Sequence, residues 1–145
     1  MKALIQRVKK ASVTIDGELY SQINAGMLVF LGVEKGDERI NADNLAQKLV
    51  SLRIYEDSNE KMNLSIKDVQ GEMLIVSQFT LCGDCKKGTR PSFDKSAPPD
   101  IARDLYEYFI AKVKEFSVPV KTGKFAAMMD IELVNDGPVT FMVEK

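Results

Sequence analysis

Histidine is absent from all 145 residues, and so is tryptophan. The first absence removes the commonest general base, the Ser-His-Asp and Cys-His nucleophile systems, and the commonest metal ligand. The second leaves phenylalanine and tyrosine as the only rings on which a nucleobase can stack. Neither sign of charge is in excess: 20 basic and 21 acidic residues leave a net −1. A nucleic-acid partner would therefore be met by a local patch and not by bulk attraction. Long apolar runs are also missing. The longest, Ala25 to Val33, is nine residues, against the ~20 that span a bilayer. The opening Met1-Lys2 is followed only by Ala3-Leu4-Ile5 before Gln6-Arg7, which lacks the apolar core of a secretory leader. These features predict a cytoplasmic protein with no membrane segment.

Cysteine is scarce: Cys82 and Cys85 form a single Cys-x-x-Cys. The sharp readings are half a zinc site or a redox pair. Zinc needs four ligands, and the chain has neither a second pair nor a histidine. The following Lys86-Lys87-Gly88-Thr89-Arg90-Pro91 reads as a loop, not as the helix start of a thioredoxin-like pair. Two incidental thiols at a strand end, with no metal and no cofactor, is the expectation.

What remains is an ordinary apolar fraction of 45% in a length suited to one domain, residues 1–145. The first third reads as strands: Lys2 to Ile15, an Asp16-Gly17 turn that tolerates positive φ, then Glu18 to Ile23. After Asn24-Ala25-Gly26, the run Met27 to Val33 suits a strand buried on both faces. Ala42, Leu45, Ala46, Leu49 and Leu52 follow helical spacing. A second helix follows Ser96-Ala97-Pro98-Pro99, with Ile101, Leu105, Tyr108, Phe109, Lys112, Val113 and Phe116 along one stripe. Glu72 to Leu81 reads as a strand. Two more, Met128 to Val134 and Val139 to Val143, alternate clearly and are joined by Asn135-Asp136-Gly137-Pro138. Strands that mostly follow one another directly predict a largely antiparallel sheet, hence an α+β domain with two main helices.

Three segments are candidates for chemistry. Ser77-Gln78-Phe79-Thr80-Leu81 brings polar groups abruptly to the end of a buried strand, where hydroxyls, an amide and free N–H groups can face a pocket. The plain alternative is a strand terminus that meets water. Gly137-Pro138 is an odd hairpin turn, since proline lacks a donor, but a simple turn is the plain reading. Lys86, Lys87 and Arg90, with Lys95 further on, form a basic loop beside the first segment. Such a run is commonly a solvated face.

Ser77-Gln78-Phe79-Thr80 together with Asn135-Asp136-Gly137-Pro138-Val139-Thr140 resembles the signature pair of the D-aminoacyl-tRNA deacylases, also called D-tyrosyl-tRNA deacylases. The resemblance extends along the chain through Gln6-Arg7-Val8, Ala11-Ser12-Val13, Lys61-Met62-Asn63-Leu64-Ser65, Gly88-Thr89-Arg90-Pro91-Ser92-Phe93 and Thr122-Gly123-Lys124-Phe125-Ala126-Ala127-Met128. It implies a barrel-like α+β subunit in a homodimer that hydrolyses the ester between a D-amino acid and the 3′-terminal adenosine of tRNA. It places the Ser-Gln-Phe-Thr segment of one subunit against a cis Gly-Pro of the other. Carried over, Gly137 and Pro138 hold the substrate amino group through their carbonyl oxygens, and Arg7 fixes the dipeptide. Phe125 and Met129 line the pocket for the terminal nucleotide.

The missing histidine then acquires a meaning. Ester hydrolysis needs an oxyanion stabiliser and a way to activate water. Backbone N–H groups of Phe79 and Thr80 can supply the first. For the second, the family is thought to borrow the substrate's own 2′-OH, with Ser77 and Gln78 positioning groups. Selection by backbone collision predicts that glycyl-tRNA is also a substrate. Contact of Lys86, Lys87 and Arg90 with tRNA is the corresponding expectation for the basic loop. Two other readings stand beside this one: a non-catalytic tRNA-end or nucleic-acid binder on the same fold, and a small-molecule esterase that uses Thr80.

Overall fold

A computed structural model describes residues 1–145. Its sheet is organised by one long strand. Strand β1 (Lys2–Ile15) pairs along one edge with β3 (Gly26–Gly32) and β2 (Glu18–Ile23), and along the other with β8 (Asp130–Glu144), all antiparallel. Beyond β3 come β6 (Glu72–Ser77) and β7 (Val120–Thr122), both added in parallel. Parallel neighbours need long crossovers. Helices α1 (Arg39–Ser51) and α2 (Pro99–Glu115) provide them between β3 and β6 and between β6 and β7. The hydroxyl of Ser21 on β2 donates to the Thr122 carbonyl on β7 at 2.8 Å, so the sheet curls almost into a barrel. A short hairpin, β4 (Tyr55–Glu56) with β5 (Met62–Leu64), completes the elements.

The burial on both faces expected of Met27 to Val33 divides by period two. Met27, Val29 and Leu31, with Met73 and Ile75 of β6, join the larger core beneath the helices. Leu28, Leu74 and Val76 join a second core with Val8, Ala11, Val13 and Ile23 inside the curl. Helix α1 packs through Ala42, Leu45, Ala46 and Leu49. Helix α2 packs through Leu105, Tyr106, Phe109 and Val113, and each such side chain removed from water contributes about 1.5–3 kcal/mol.

Three expectations are corrected. The strand expected over Glu72 to Leu81 ends at Ser77, and a 3₁₀ turn occupies Phe79–Cys82. Ile101 stands exposed at the start of α2, while Tyr106, outside the expected stripe, is buried. The two C-terminal strands are one, β8, because both halves pair with β1 and Asn135-Asp136-Gly137-Pro138 is no hairpin turn. Gln6 pairs with Thr140 and Val8 with Asn135, so residues 136–139 bulge outward opposite Arg7 alone.

Candidate active site

The parallel strands β3 and β6 end side by side, and beyond their carboxyl ends lies a pocket of about 530 Å³. Leu31, Val33 and Val76 form its floor. Ala97, Pro99 and Ala102, leading into α2, form one wall; Phe125 to Met129 and Ile131 form the other; and Ser77, Gln78 and Phe79 lie at its polar edge. No lining side chain is a carboxylate, amine, thiol or imidazole. The pocket has no general base of its own.

The polar edge owes its shape to the turn that replaces the expected strand end. The Gln78 N–H still closes the sheet on the Leu31 carbonyl at 2.8 Å, and the chain then tightens, with Leu81 N–H donating to Gln78 O at 3.2 Å. The N–H groups of Phe79 and Thr80 precede that bond and have no partner in the turn, as the first donors of any helical segment do. Two adjacent free donors at the mouth of an apolar pocket can bind an oxyanion. The Gln78 side-chain amide donates to the Thr80 hydroxyl in a short contact. An amide donor cannot take a proton from that hydroxyl, so this contact supplies Thr80 with no general base. The Phe79 ring packs on Phe93 with centroids 5.0 Å apart.

The opposite wall is held from beneath by Tyr106. Its buried hydroxyl donates to Ile75 O at 2.8 Å, and burial raises its pKa well above the ordinary range, so it stays a neutral donor. Its ring lies 5.7 Å from that of Phe125. Gly123 N–H also donates to Ile75 O, at 3.0 Å. A Cβ on Gly123 would come within 2.8 Å of the Met129 sulfur, so glycine lets Met129 fold back into the wall. Phe125 and Met129 thus both line this pocket. Tyr106 and the small residues Ala97 and Ala102 carry no signal in a single sequence, and Ala126 and Ala127 enter only through the family resemblance of residues 122–128.

Gly137 and Pro138 stand elsewhere. Arg7, opposite them, is in register with Met27 and Met73, whereas the pocket begins at Leu31 and Ser77, four residues along the sheet. That is about 13 Å at strand rise. The Gly137-Pro138 bond is cis, and both residues are exposed. Arg7 is the buried post beneath them: Nε donates to Asp136 O at 3.0 Å and Nη1 to Ile54 O at 2.8 Å, and Nη2 reaches Glu56 Oε1 at 3.4 Å. Asn135 closes the bulge, its Oδ1 accepting from Val139 N–H at 2.8 Å and its Nδ2 donating to Thr140 Oγ1 at 2.8 Å. Gly137 has φ +133°, and a Cβ there would meet Val139 Cγ2 at 2.7 Å. Only glycine fits this conformation without moving its neighbours.

Lys86, Lys87 and Arg90 lie on an exposed loop pinched at its base by the Asp84–Ser92 bridge, and none lines the pocket. Cys82 is buried with its thiol toward Val33 O at 3.5 Å, and burial pushes its pKa up; Cys85 is exposed.

A base-free pocket with paired N–H donors on a curled α+β sheet suits ester hydrolysis, and the relatives give the class, an aminoacyl-tRNA deacylase. The family model for D-Tyr-tRNA(Tyr) deacylase matches residues 4–144. A D-aminoacyl-tRNA deacylase of Geotalea daltonii is 58% identical over 144 residues, covering 99% of this chain and 96% of that one. The solved structure of a c-Myc DNA unwinding element binding protein superposes with a TM-score of 0.95 at 39% identity, covering 100% of this chain and 99% of the other. A structure described as a probable eukaryotic D-amino acid tRNA deacylase shares the fold, with a TM-score of 0.82 at 19% identity and 99% and 98% coverage. The chain belongs to the D-Tyr-tRNA(Tyr) deacylase family.

Proposed function

We propose that the protein hydrolyses the ester between a D-amino acid and the 3′-terminal adenosine of tRNA, acting in the cytoplasm as a homodimer with shared sites. The observation that supports this reading is the turn at Phe79 and Thr80, which leaves two N–H groups without backbone partners at the edge of an apolar pocket that has no titratable side chain. The adenosine occupies the pocket against Phe125 and Met129, and the developing oxyanion faces Phe79 and Thr80. Water is activated by the neighbouring 2′-OH of the substrate, because the site contains no base. Ser77 and Gln78 position groups, and Lys86, Lys87 and Arg90 meet the tRNA further out.

Two features support sharing between subunits. Gly137-Pro138 lies too far from its own pocket to complete it. Strand β8, which carries the dipeptide, leaves its second edge unpaired along its whole length and exposes Val134, Phe141 and Met142 beside it. An open strand edge with apolar neighbours is normally covered. A second copy would cover it and could bring its own Gly137-Pro138 to this pocket, where the carbonyl oxygens hold the substrate ammonium.

The similarity to a DNA unwinding element binding protein favours a second reading, a nucleic-acid binder without catalysis. The two part on one assay. D-tyrosyl-tRNA should be deacylated at catalytic enzyme concentration and L-tyrosyl-tRNA spared; survival of both esters would favour binding alone. Thr80→Ala should keep activity within about tenfold, a barrier change of no more than ~1.4 kcal/mol. A loss of several thousandfold, or an acyl group trapped on Thr80 in mass spectrometry, would make that hydroxyl the nucleophile and revive the simple-esterase reading.

A further inference from the structure

We propose that Arg103 binds the phosphodiester on the 5′ side of the substrate's terminal adenosine, making it a substrate-binding residue of this site. The inference rests on the deacylase reading above and extends it to a residue outside the pocket lining.

Arg103 follows Ala102, which lines the pocket, in the first turns of α2. Its guanidinium carbon lies 4.9 Å from the centroid of the Phe125 ring. That ring is itself part of the pocket wall, so it touches the site and the guanidinium at once. Stacking on the ring restrains the guanidinium, whose planar N–H fork is suited to bidentate phosphate recognition. The fork is unused within the chain. Asp100 and Glu107 sit at helix-neighbour spacing, yet Arg103 forms no ion pair or hydrogen bond with either.

Arg39 provides the contrast. It also stacks on an aromatic ring, Tyr108, at 4.9 Å, but it is ion-paired with Asp104 at 3.8 Å and lies away from the pocket. Arg39 has a partner in the fold, and Arg103 is held in place without one. A nucleotide bound against Phe125 carries its 5′-phosphate a sugar's width from its base. The stacked, unneutralised guanidinium is a cation held on that wall and free to meet it.

The test uses two non-hydrolysable ligands, 3′-(D-tyrosylamino)-3′-deoxyadenosine and its 5′-phosphate, titrated calorimetrically into the full-length protein. Wild type should bind the phosphorylated form about tenfold more tightly. Arg103→Met, which keeps the stem that covers Phe125, should bind both forms equally. Arg103→Lys should retain part of the preference, and Arg39→Met all of it. The preference should also weaken with salt in wild type and show no salt dependence in Arg103→Met. Equal affinity of wild type for both forms, or a preference that survives in Arg103→Met, overturns the assignment while leaving the deacylase reading intact. Failure of wild type to bind either form removes the nucleotide pocket itself, and the inference with it. An equal loss for both ligands in Arg103→Met would show that Arg103 only supports Phe125.

Discussion

Subunits carrying Phe79→Pro and subunits carrying Gly137→Ala should each be nearly inactive alone, and mixing them should restore about a quarter of wild-type activity. Proline is tolerated at the first position of a helical turn, so the first change removes one oxyanion donor, together with the ring that packs on Phe93, with little disturbance of the backbone. Loss of such a donor costs roughly 10²–10³ in rate. The second change places a Cβ against Val139 and Arg7 at a φ of +133° and displaces the dipeptide. In random exchange half of the dimers are mixed. Each mixed dimer has one composite site in which both changes fall and one in which neither does. Recovery of activity after exchange therefore reports a site built from two chains. If exchange is demonstrated by mass and activity stays absent, the dipeptide acts within its own subunit or not at all.

Glycyl-tRNA should be hydrolysed within about tenfold of the rate for D-alanyl-tRNA, whereas L-alanyl-tRNA should be slower by more than about a hundredfold. The basis is the kind of selector that Gly137-Pro138 can be. The bulge is pinned by Arg7 from below and by Asn135 across its neck, so it is rigid main chain. Main chain that grips the ammonium and fills the space beside it rejects an L side chain by collision. A filter of that kind has no contact to miss when the side chain is only hydrogen. Deacylation of the three esters at equal enzyme concentration decides the point. Survival of glycyl-tRNA alongside L-alanyl-tRNA would mean that the pocket binds the D side chain positively.

The periodicities were legible wherever burial is one-sided or complete. The α1 stripe and the doubly buried β3 run appear in the structure as their patterns predict, because 3.6-residue and two-residue repeats are direct images of which face is dry. The antiparallel expectation holds for every pairing of β1 but not for β3–β6 or β6–β7. The clue was present: each of the two helical stripes lies between strands, the order that a parallel crossover requires. Ser77 to Thr80 misled in another way. Alternation continues through Leu81 on paper, but Leu81 N–H turns back to Gln78 O, and that exchange of partners leaves no mark on hydropathy.

The bulge in β8 was visible only as an oddity. A proline inside an alternating pattern argues for a turn or an interruption, and nothing local distinguishes them. What decides is Arg7, 129 residues away in sequence, whose guanidinium fills the space beneath Asp136. Tyr106 was hidden for a similar reason: its hydroxyl is satisfied by Ile75 O, which no count of apolar residues anticipates.

The measurement that bears most directly on the shared site is the crystal structure of the protein with 3′-(D-tyrosylamino)-3′-deoxyadenosine. The expected complex places the adenosine against Phe125 and Met129 and the ligand carbonyl toward the N–H groups of Phe79 and Thr80. Its ammonium should lie within hydrogen-bond distance of the carbonyl oxygens of the partner subunit's Gly137 and the partner subunit's Pro138. A ligand ammonium held by side chains of the same subunit, with Gly137-Pro138 left in solvent, would contradict the account.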